Sequence, residues 1–138
     1  MIPRVVRAQI EDALLDEDEE RALALLQPHL GTDAASWSQA GFLLDDLGQS
    51  DVALEHYARA LELDAKCVSA FVGRGKIRAA RREHEEAIAD FDHALALEQS
   101  GMTWFAKACV LDEMGDPAGA ESCRAEAQRL EPALFTRR

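Results

Sequence analysis

The chain has 138 residues, a length sufficient for one compact domain, and 48% of them are hydrophobic and 6% aromatic. Its formal net charge of −11 disfavours nucleic-acid binding, because such a field repels phosphate backbones. No apolar run approaches the roughly 20 residues of a membrane span, and acidic residues stand where a signal peptide would have its hydrophobic centre. We therefore expect a cytoplasmic domain that binds neither nucleic acid nor membrane.

The acidic residues are concentrated in the amino-terminal half. Residues 1–33 carry eight acidic and three basic side chains, and residues 34–67 carry six and two. Residues 68–100 and 101–138 each carry six acidic and five basic side chains. This asymmetry fits either solubility alone or the steering of a basic partner.

The amino-terminal segment is predicted to form a helical hairpin. Residues 3–15 place apolar side chains along one face at helical spacing. The acidic run at 16–20 should turn the chain and favour the amino end of a second helix, which Pro28 should end. We expect residues 3–33 to form the first hairpin.

Residues 34–67 are predicted to form two further helices, separated by Gly48. Thr32 or Asp33 should cap the first of them, and Ser50 is the candidate cap of the second. Asp116 is likewise the expected cap of the last helix, which Pro117 should begin. Small and aromatic residues in this segment stand at offsets that return twice more along the chain. The recurring residues are Trp37, Gly41, Leu44, Gly48, Ala53, Tyr57 and Ala60, then Phe71, Gly75, Ala87, Phe91 and Ala94, then Trp104, Ala108, Gly115, Ala120, Ala127 and Pro132.

Those residues and spacings resemble the tetratricopeptide repeat, a 34-residue helix-turn-helix unit. The resemblance implies an all-α fold, a right-handed superhelical solenoid of antiparallel helix hairpins within a single domain, 1–138. It implies repeats at 34–67, 68–100 and 101–134, with 3–33 as a degenerate capping hairpin and 135–138 as a tail.

Two features of the second repeat bear on its interior. Arg82 stands at the hinge where the family favours glycine, so that turn must close without a residue suited to a left-handed conformation. Arg74 and Asp90 resemble a pair that is common in the family, which implies that they bridge the two helices. A basic cluster in this segment fits either a site for an anion or acidic peptide or local pairing with acids on the following helix; its members are Arg74, Lys76, Arg78, Arg81 and Arg82.

The family resemblance also implies a concave groove lined by the first helix of each hairpin. Four apolar residues would form its floor, namely Phe42, Val72, Met102 and Phe105, with acids along one rim. The full set of expected groove residues is Ser38, Gln39, Phe42, Asp45, Asp46, Ser69, Val72, Lys76, Met102, Phe105, Cys109, Asp112 and Glu113. An exposed apolar strip with a charged rim is what peptide binding requires.

No set of residues predicts catalysis. The four histidines do not pair with a cysteine or an acid at the spacing of a zinc motif, and no glycine-rich loop follows a predicted strand. The three cysteines lack a CxxC motif and favour free thiols in a reducing compartment. We expect a non-enzyme without metal or cofactor.

The leading hypothesis is an interaction module, an adaptor or chaperone-like protein, that holds a partner's segment of apolar and basic residues in its groove. One alternative is a small acidic secretion chaperone with three repeats. Another is a structural subunit that self-assembles through its carboxy-terminal hairpin, where Leu134 and Phe135 would lie near an open end of the stack.

Overall fold

The structure, a computed structural model, describes residues 2–136, which form eight α-helices and no strand. The all-α helical-repeat fold expected from the sequence is confirmed. Two short 3₁₀ helices follow the second and the eighth helix, at Gln27–His29 and Pro132–Phe135. The α-helices are α1 (Arg4–Leu15), α2 (Glu19–Leu26), α3 (Ala34–Asp46), α4 (Ser50–Leu63), α5 (Val68–Ala80), α6 (His84–Leu97), α7 (Gly101–Glu113) and α8 (Pro117–Leu130).

The chain divides into two compact units, Met1–Ala70 (unit 1) and Phe71–Arg138 (unit 2), and the boundary falls within α5. Unit 1 contains the α1–α2 and α3–α4 hairpins, whereas unit 2 contains most of α5 and the helices that follow it. Within the part of the chain that the structure describes, every helix is too short or too polar to cross a bilayer.

The same turn closes all four hairpins. Gly48 adopts a φ of 80°, and its N–H donates to the Asp45 carbonyl at 2.9 Å while the next N–H, of Gln49, donates to Leu44 at 2.8 Å. This pair of bonds satisfies the last carbonyls of α3 and is the usual reason for glycine at such a position. The corresponding left-handed residues of the other hairpins are Glu17 (φ 58°), Arg82 (φ 62°) and Gly115 (φ 80°).

Arg82 therefore takes the left-handed conformation at its turn although it is not a glycine. Its N–H donates to Ala79 at 3.0 Å, and the N–H of Glu83 donates to Arg78 at 2.9 Å, as in the glycine turns. The left-handed region brings Cβ close to the following carbonyl oxygen and costs an ordinary residue about 1–2 kcal/mol. The turn is thus set by the hairpin geometry and not by the residue that occupies it.

A glycine on the first helix meets an aromatic ring on the second in two hairpins. A Cβ added to Gly41 would lie 2.6 Å from the ring of Tyr57, and one added to Gly75 would lie 2.7 Å from the ring of Phe91. Both rings are buried. The absent side chain is therefore what allows the two helices to approach and enclose the ring.

The helix caps agree with the sequence at two hairpins and differ at one. Asp33 caps α3 by accepting from the N–H of Ser36 at 3.0 Å, a bond that lowers the pKa of the Asp33 carboxyl. Asp116 caps α8 ahead of Pro117, as predicted. Ser50 does not cap α4: the helix begins at Ser50, and its hydroxyl donates instead to the Asp45 carboxylate at 3.2 Å.

Candidate binding faces

In unit 1, the exposed side of α3 carries part of the predicted groove. Gln39, Phe42 and Asp46 are exposed there, and we call this surface the α3 face. Ser38 is instead buried, and its hydroxyl lies 2.7 Å from that of Ser69. Ser38 therefore stabilises unit 1 and offers a ligand no surface.

Phe42 is anchored on one side and open on the other. Its ring meets the buried Tyr57 ring edge-on, with centroids 5.6 Å apart, yet 36% of the residue remains exposed. Burial in a low-dielectric interior and the charges of Asp45 and Asp46 raise the pKa of Tyr57. A rigid, half-exposed aromatic ring is a suitable anchor for an apolar ligand group.

A pocket of about 300 Å³, which we call the Phe42 pocket, opens beside this ring. It extends the α3 face onto the amino-terminal hairpin, because Arg7 of α1 and Ile2, which precedes that helix, supply part of its wall. The Arg7 guanidinium lies 3.6 Å from the Asp46 carboxylate across it. The lining residues are Ile2, Arg7, Gln39, Phe42, Leu43 and Asp46.

A second pocket, of about 310 Å³, lies where α1 and α3 end, and we call it the Leu15 pocket. Leu15 is 81% exposed, an unusual degree for a large apolar side chain in a helix. The lining residues are Glu11, Leu14, Leu15, Leu47 and Gln49. The sequence pattern did not predict that α1 lines the Phe42 pocket and the Leu15 pocket, because residues 3–33 lack the aromatic and glycine pattern of the later repeats.

The groove residues of α5 differ in exposure. Ser69 and Lys76 are exposed, whereas Val72 is half-buried. Ser69 is also engaged, because its hydroxyl lies 3.5 Å from the Cys67 sulfur in addition to its contact with Ser38. Lys76 is thus the predicted groove residue of α5 that presents a charge to solvent.

In unit 2, Met102, Phe105 and Cys109 are exposed on α7, and we call this surface the α7 face. Met102 is 50% and Phe105 is 40% exposed. The Phe135 ring from the following 3₁₀ helix meets Phe105 edge-on at 5.9 Å. The carboxy-terminal segment therefore folds back onto α7, although Phe135 itself stays about one-third exposed.

The predicted acidic rim of α7 is largely engaged within unit 2. Asp112 accepts from the Arg124 guanidinium, a bond that raises the pKa of Arg124. Glu113 lies 3.1 Å from the His84 ring nitrogen. Partial burial, followed by the charge of Asp112, raises the pKa of the Cys109 thiol. These acids must exchange partners before they can pair with a ligand cation.

The basic cluster of α5 is built mainly into the hairpin. Arg74 donates to both carboxylate oxygens of Asp90, with its shortest contact at 2.8 Å, and Arg78 donates to the same carboxylate at 3.0 Å. Asp90 is buried, whereas both arginines keep some exposure. The Arg74–Asp90 bridge implied by the family resemblance is confirmed, and its purpose is structural.

Across residues 2–136, no group of three or more histidine, cysteine, aspartate or glutamate side chains is arranged to hold a metal ion. The α3 face and the α7 face present apolar side chains, amides and exposed charges. Such surfaces recognise other molecules by burial and complementarity.

Comparisons with known proteins agree with this fold. A model of the tetratricopeptide repeat family matches residues 34–67. No curated protein matches the sequence. The crystal structure of MamA is similar with a TM-score of 0.73 and 15% identity, covering 94% of this chain and 78% of MamA.

Two further solved structures are similar in fold. YrrB, described as a TPR protein with an unusual peptide-binding site, is similar with a TM-score of 0.68 and 26% identity, covering 73% of this chain and 53% of YrrB. The TPR domain of Arabidopsis OM64 is similar with a TM-score of 0.61 and 24% identity, covering 79% of this chain and 93% of that domain. Proteins of this fold are generally non-enzymatic modules for protein–protein interaction. Residues 34–67 thus match the tetratricopeptide repeat family, and the helical hairpins of the chain are similar in fold to solved structures that include tetratricopeptide repeat proteins.

Proposed function

We propose that this protein binds a peptide segment of a partner protein on the exposed faces of its first helices, in the concave groove that the family resemblance implies. The observation that carries the proposal is the exposure of the α7 face. Met102 and Phe105 keep 50% and 40% of their surface in water although apolar burial would stabilise the fold. Apolar side chains exposed one turn apart on a helix are typical of a surface that a partner covers.

A bound segment would gain free energy mainly from covering these side chains. Apolar surface removed from water contributes roughly 25 cal/mol per Å². Covering the open parts of Phe42 and Phe105 therefore contributes on the order of 1–3 kcal/mol for each ring, less the entropy of ordering the segment. The half-exposed rings, not the surrounding charges, should dominate affinity.

Charge should instead set the type of partner and its rate of binding. The net charge of −11 attracts a segment that carries lysine or arginine. Because Asp112 and Asp46 already lie near Arg124 and Arg7, a ligand cation gains little there beyond the pairs it replaces. We expect the acidic field to speed encounter, and added salt to slow it.

The test begins with peptides selected from a random phage-displayed library on the wild-type protein. Affinity of the selected peptides is then measured for Phe105→Ala and for Leu97→Ala, which removes a similarly exposed apolar side chain from α6 of the same unit. Phe105→Ala should weaken binding tenfold or more, equivalent to about 1.4 kcal/mol, and Leu97→Ala should not. Equal affinity for both variants, at matched folding by circular dichroism, would refute the proposal.

Self-association is a second candidate function, and the carboxy-terminal patch favours it. Leu134 and Phe135 are 41% and 36% exposed, and the Phe135 ring contacts that of Phe105, so apolar side chains of the carboxy-terminal segment and of α7 are exposed in the same unit. Sedimentation over a wide range of protein concentration tests this candidate. Leu134→Ser should reduce self-association if the patch is the interface, and a monomer at every concentration would exclude it.

A further inference from the structure

We infer that the cleft between α1 and α3 is a two-pocket docking site for an amphipathic helix of a partner protein. The helix would place one apolar side chain in each pocket and a lysine or arginine between them. This inference rests on the proposed function, because the Phe42 pocket belongs to the α3 face. It assigns a binding role to the amino-terminal hairpin, which the repeat pattern alone treats as a cap.

The two pockets are similar in size and composition. Their volumes, about 300 and 310 Å³, lie at the lower end of the range of ligand pockets. Phe42 and Leu43 supply apolar surface to the first, and Leu14, Leu15 and Leu47 supply it to the second. Each pocket also contains one carboxylate at its edge, Asp46 in the first and Glu11 in the second.

Arg7 connects these two carboxylates. Its guanidinium lies 3.6 Å from Asp46, and its Nε lies 3.5 Å from Glu11. All three side chains are at least two-fifths exposed, so both ion pairs are screened by water and weak. A cation from a ligand can therefore take the place of Arg7 between the two acids.

The spacing of the pockets favours a helix over an extended segment. Arg7 lines the Phe42 pocket and Leu14 lines the Leu15 pocket, and seven residues of α1 span roughly 10 Å. In a helical ligand, residues i and i+7 are separated by the same distance on one face, with i+3 or i+4 between them. In a strand, the residue about 10 Å away points to the opposite side. One helix face can thus fill both pockets and present a base to the acids.

Charge specifies the ligand further. Residues 1–33 carry eight acidic and three basic side chains, and residues 34–67 carry six and two. A basic helix is attracted to this surface, whereas the same acidic region of a second copy of the chain is repelled. The occupant is therefore a different protein.

The test uses a capped, alanine-based 18-residue helical peptide with leucines at positions 5 and 12 and a lysine at position 8. Two matched peptides replace the lysine with glutamate or both leucines with serine. Binding to the full chain is measured by calorimetry and by amide chemical-shift changes. Leu15→Ser and Arg7→Gln are the informative variants. Val5→Ser is the control, because Val5 is 69% exposed on the same helix and lines neither pocket.

The leucine–lysine peptide should bind, and both matched peptides should bind at least tenfold more weakly. Leu15→Ser should weaken binding about tenfold, and Val5→Ser should leave it unchanged. Arg7→Gln should strengthen binding of the lysine peptide by roughly two- to fivefold, because it exposes two carboxylates to the ligand. Absence of saturable binding, or no effect of Leu15→Ser, would overturn the inference, as would a loss of affinity in Arg7→Gln.

The same measurements separate this inference from the proposed function. If library-selected peptides depend on Phe42 and Phe105 but not on Leu15, the groove is used and the two-pocket site is wrong. If peptides depend on Leu15 and Phe42 but not on Phe105, the two-pocket site stands and the proposed use of the α7 face is wrong. Dimerisation that Leu15→Ser abolishes would instead identify a second copy as the occupant and overturn the inference.

Discussion

The α3–α4 and α5–α6 hairpins stand 34 residues apart in the sequence and fold alike, yet different chemistry fills their interiors. The first hairpin buries alanine, leucine and tyrosine side chains together with His56, whose Nδ1 lies 2.9 Å from the Val52 carbonyl and whose ring lies 5.4 Å from that of Trp37. In the second, two arginines enclose a buried carboxylate. The corresponding pairs are Ala40 and Arg74, Leu44 and Arg78, Gly48 and Arg82, His56 and Asp90, and Tyr57 and Phe91.

This difference shows which features a hairpin of this type needs. Both hairpins keep a glycine against a buried ring and a left-handed residue at the turn. The interior side chains between the ring contact and the turn differ, because they are mainly apolar in the first hairpin and charged in the second. Helix approach and turn geometry therefore define the repeat, whereas the interior tolerates either apolar packing or a satisfied ion cluster.

Removing the central carboxylate should give the largest effect. Asp90→Ala leaves Arg74 and Arg78 partly buried without their partner, which should lower the free energy of unfolding by about 3 kcal/mol. Urea denaturation measures the change. The control is the triple exchange Arg74→Ala, Arg78→Leu and Asp90→His, which installs the residues of the first hairpin. It should recover at least half of the loss, and no recovery would contradict the equivalence of the two interiors.

A methyl group at the helix contact should have the next largest effect. Gly75→Ala places Cβ within 3 Å of the Phe91 ring and should lower the free energy of unfolding by about 1–3 kcal/mol. Gly41→Ala should lower it by a similar amount, because Gly41 makes the equivalent contact with the Tyr57 ring. A stabilising effect of either substitution, as expected for alanine in an unconstrained helix, would show that the contact relaxes freely.

The turns should respond with opposite signs. Arg82→Gly relieves the left-handed strain and should raise the free energy of unfolding by about 1 kcal/mol, whereas Gly48→Ala introduces that strain and should lower it by about the same amount. Thermal unfolding of the two variants tests both. Changes of the same sign would mean that the two turns are not equivalent.

Exchanging the buried ring of the first hairpin for that of the second should change the free energy of unfolding least. Tyr57 is buried with its hydroxyl unpaired, so Tyr57→Phe, which copies Phe91, should change the free energy of unfolding by less than about 1 kcal/mol. Burial raises the pKa of Tyr57, so the folded protein keeps the phenol neutral. The contribution of this neutral phenol to the free energy of unfolding is complete below the unfolded pKa of 10.0 and is lost as pH rises above it. Wild-type stability should therefore fall more steeply above pH 10 than that of Tyr57→Phe. Identical pH profiles would contradict a buried neutral phenol.

The sequence predicts the hairpins well because their signals are local. Gly48 ends α3, Gly115-Asp116-Pro117 ends α7 and starts α8, and Pro28 follows the end of α2. Glu17 gave no such signal, since a charged residue rarely adopts its left-handed conformation. That turn is imposed by the packing of α1 on α2.

The binding faces were less predictable because they depend on neighbouring elements. Register places Ser38 and Gln39 side by side, but only the structure shows that Ser38 is buried against Ser69. Ile2 and Arg7 belong to no repeat motif and reach the α3 face through the packing of α1. Likewise, the contact of Phe135 with Phe105 depends on how the chain turns after α8.

Footprinting of Cys109 tests most directly whether the α7 face is where a partner binds. Cys109 is the exposed cysteine of the three, and its raised pKa makes its alkylation by N-ethylmaleimide slow enough to follow. A library-selected peptide at about ten times its Kd should slow the reaction roughly tenfold, because fewer than about one face in ten stays free. An alkylation rate that stays unchanged under saturating peptide would contradict the account.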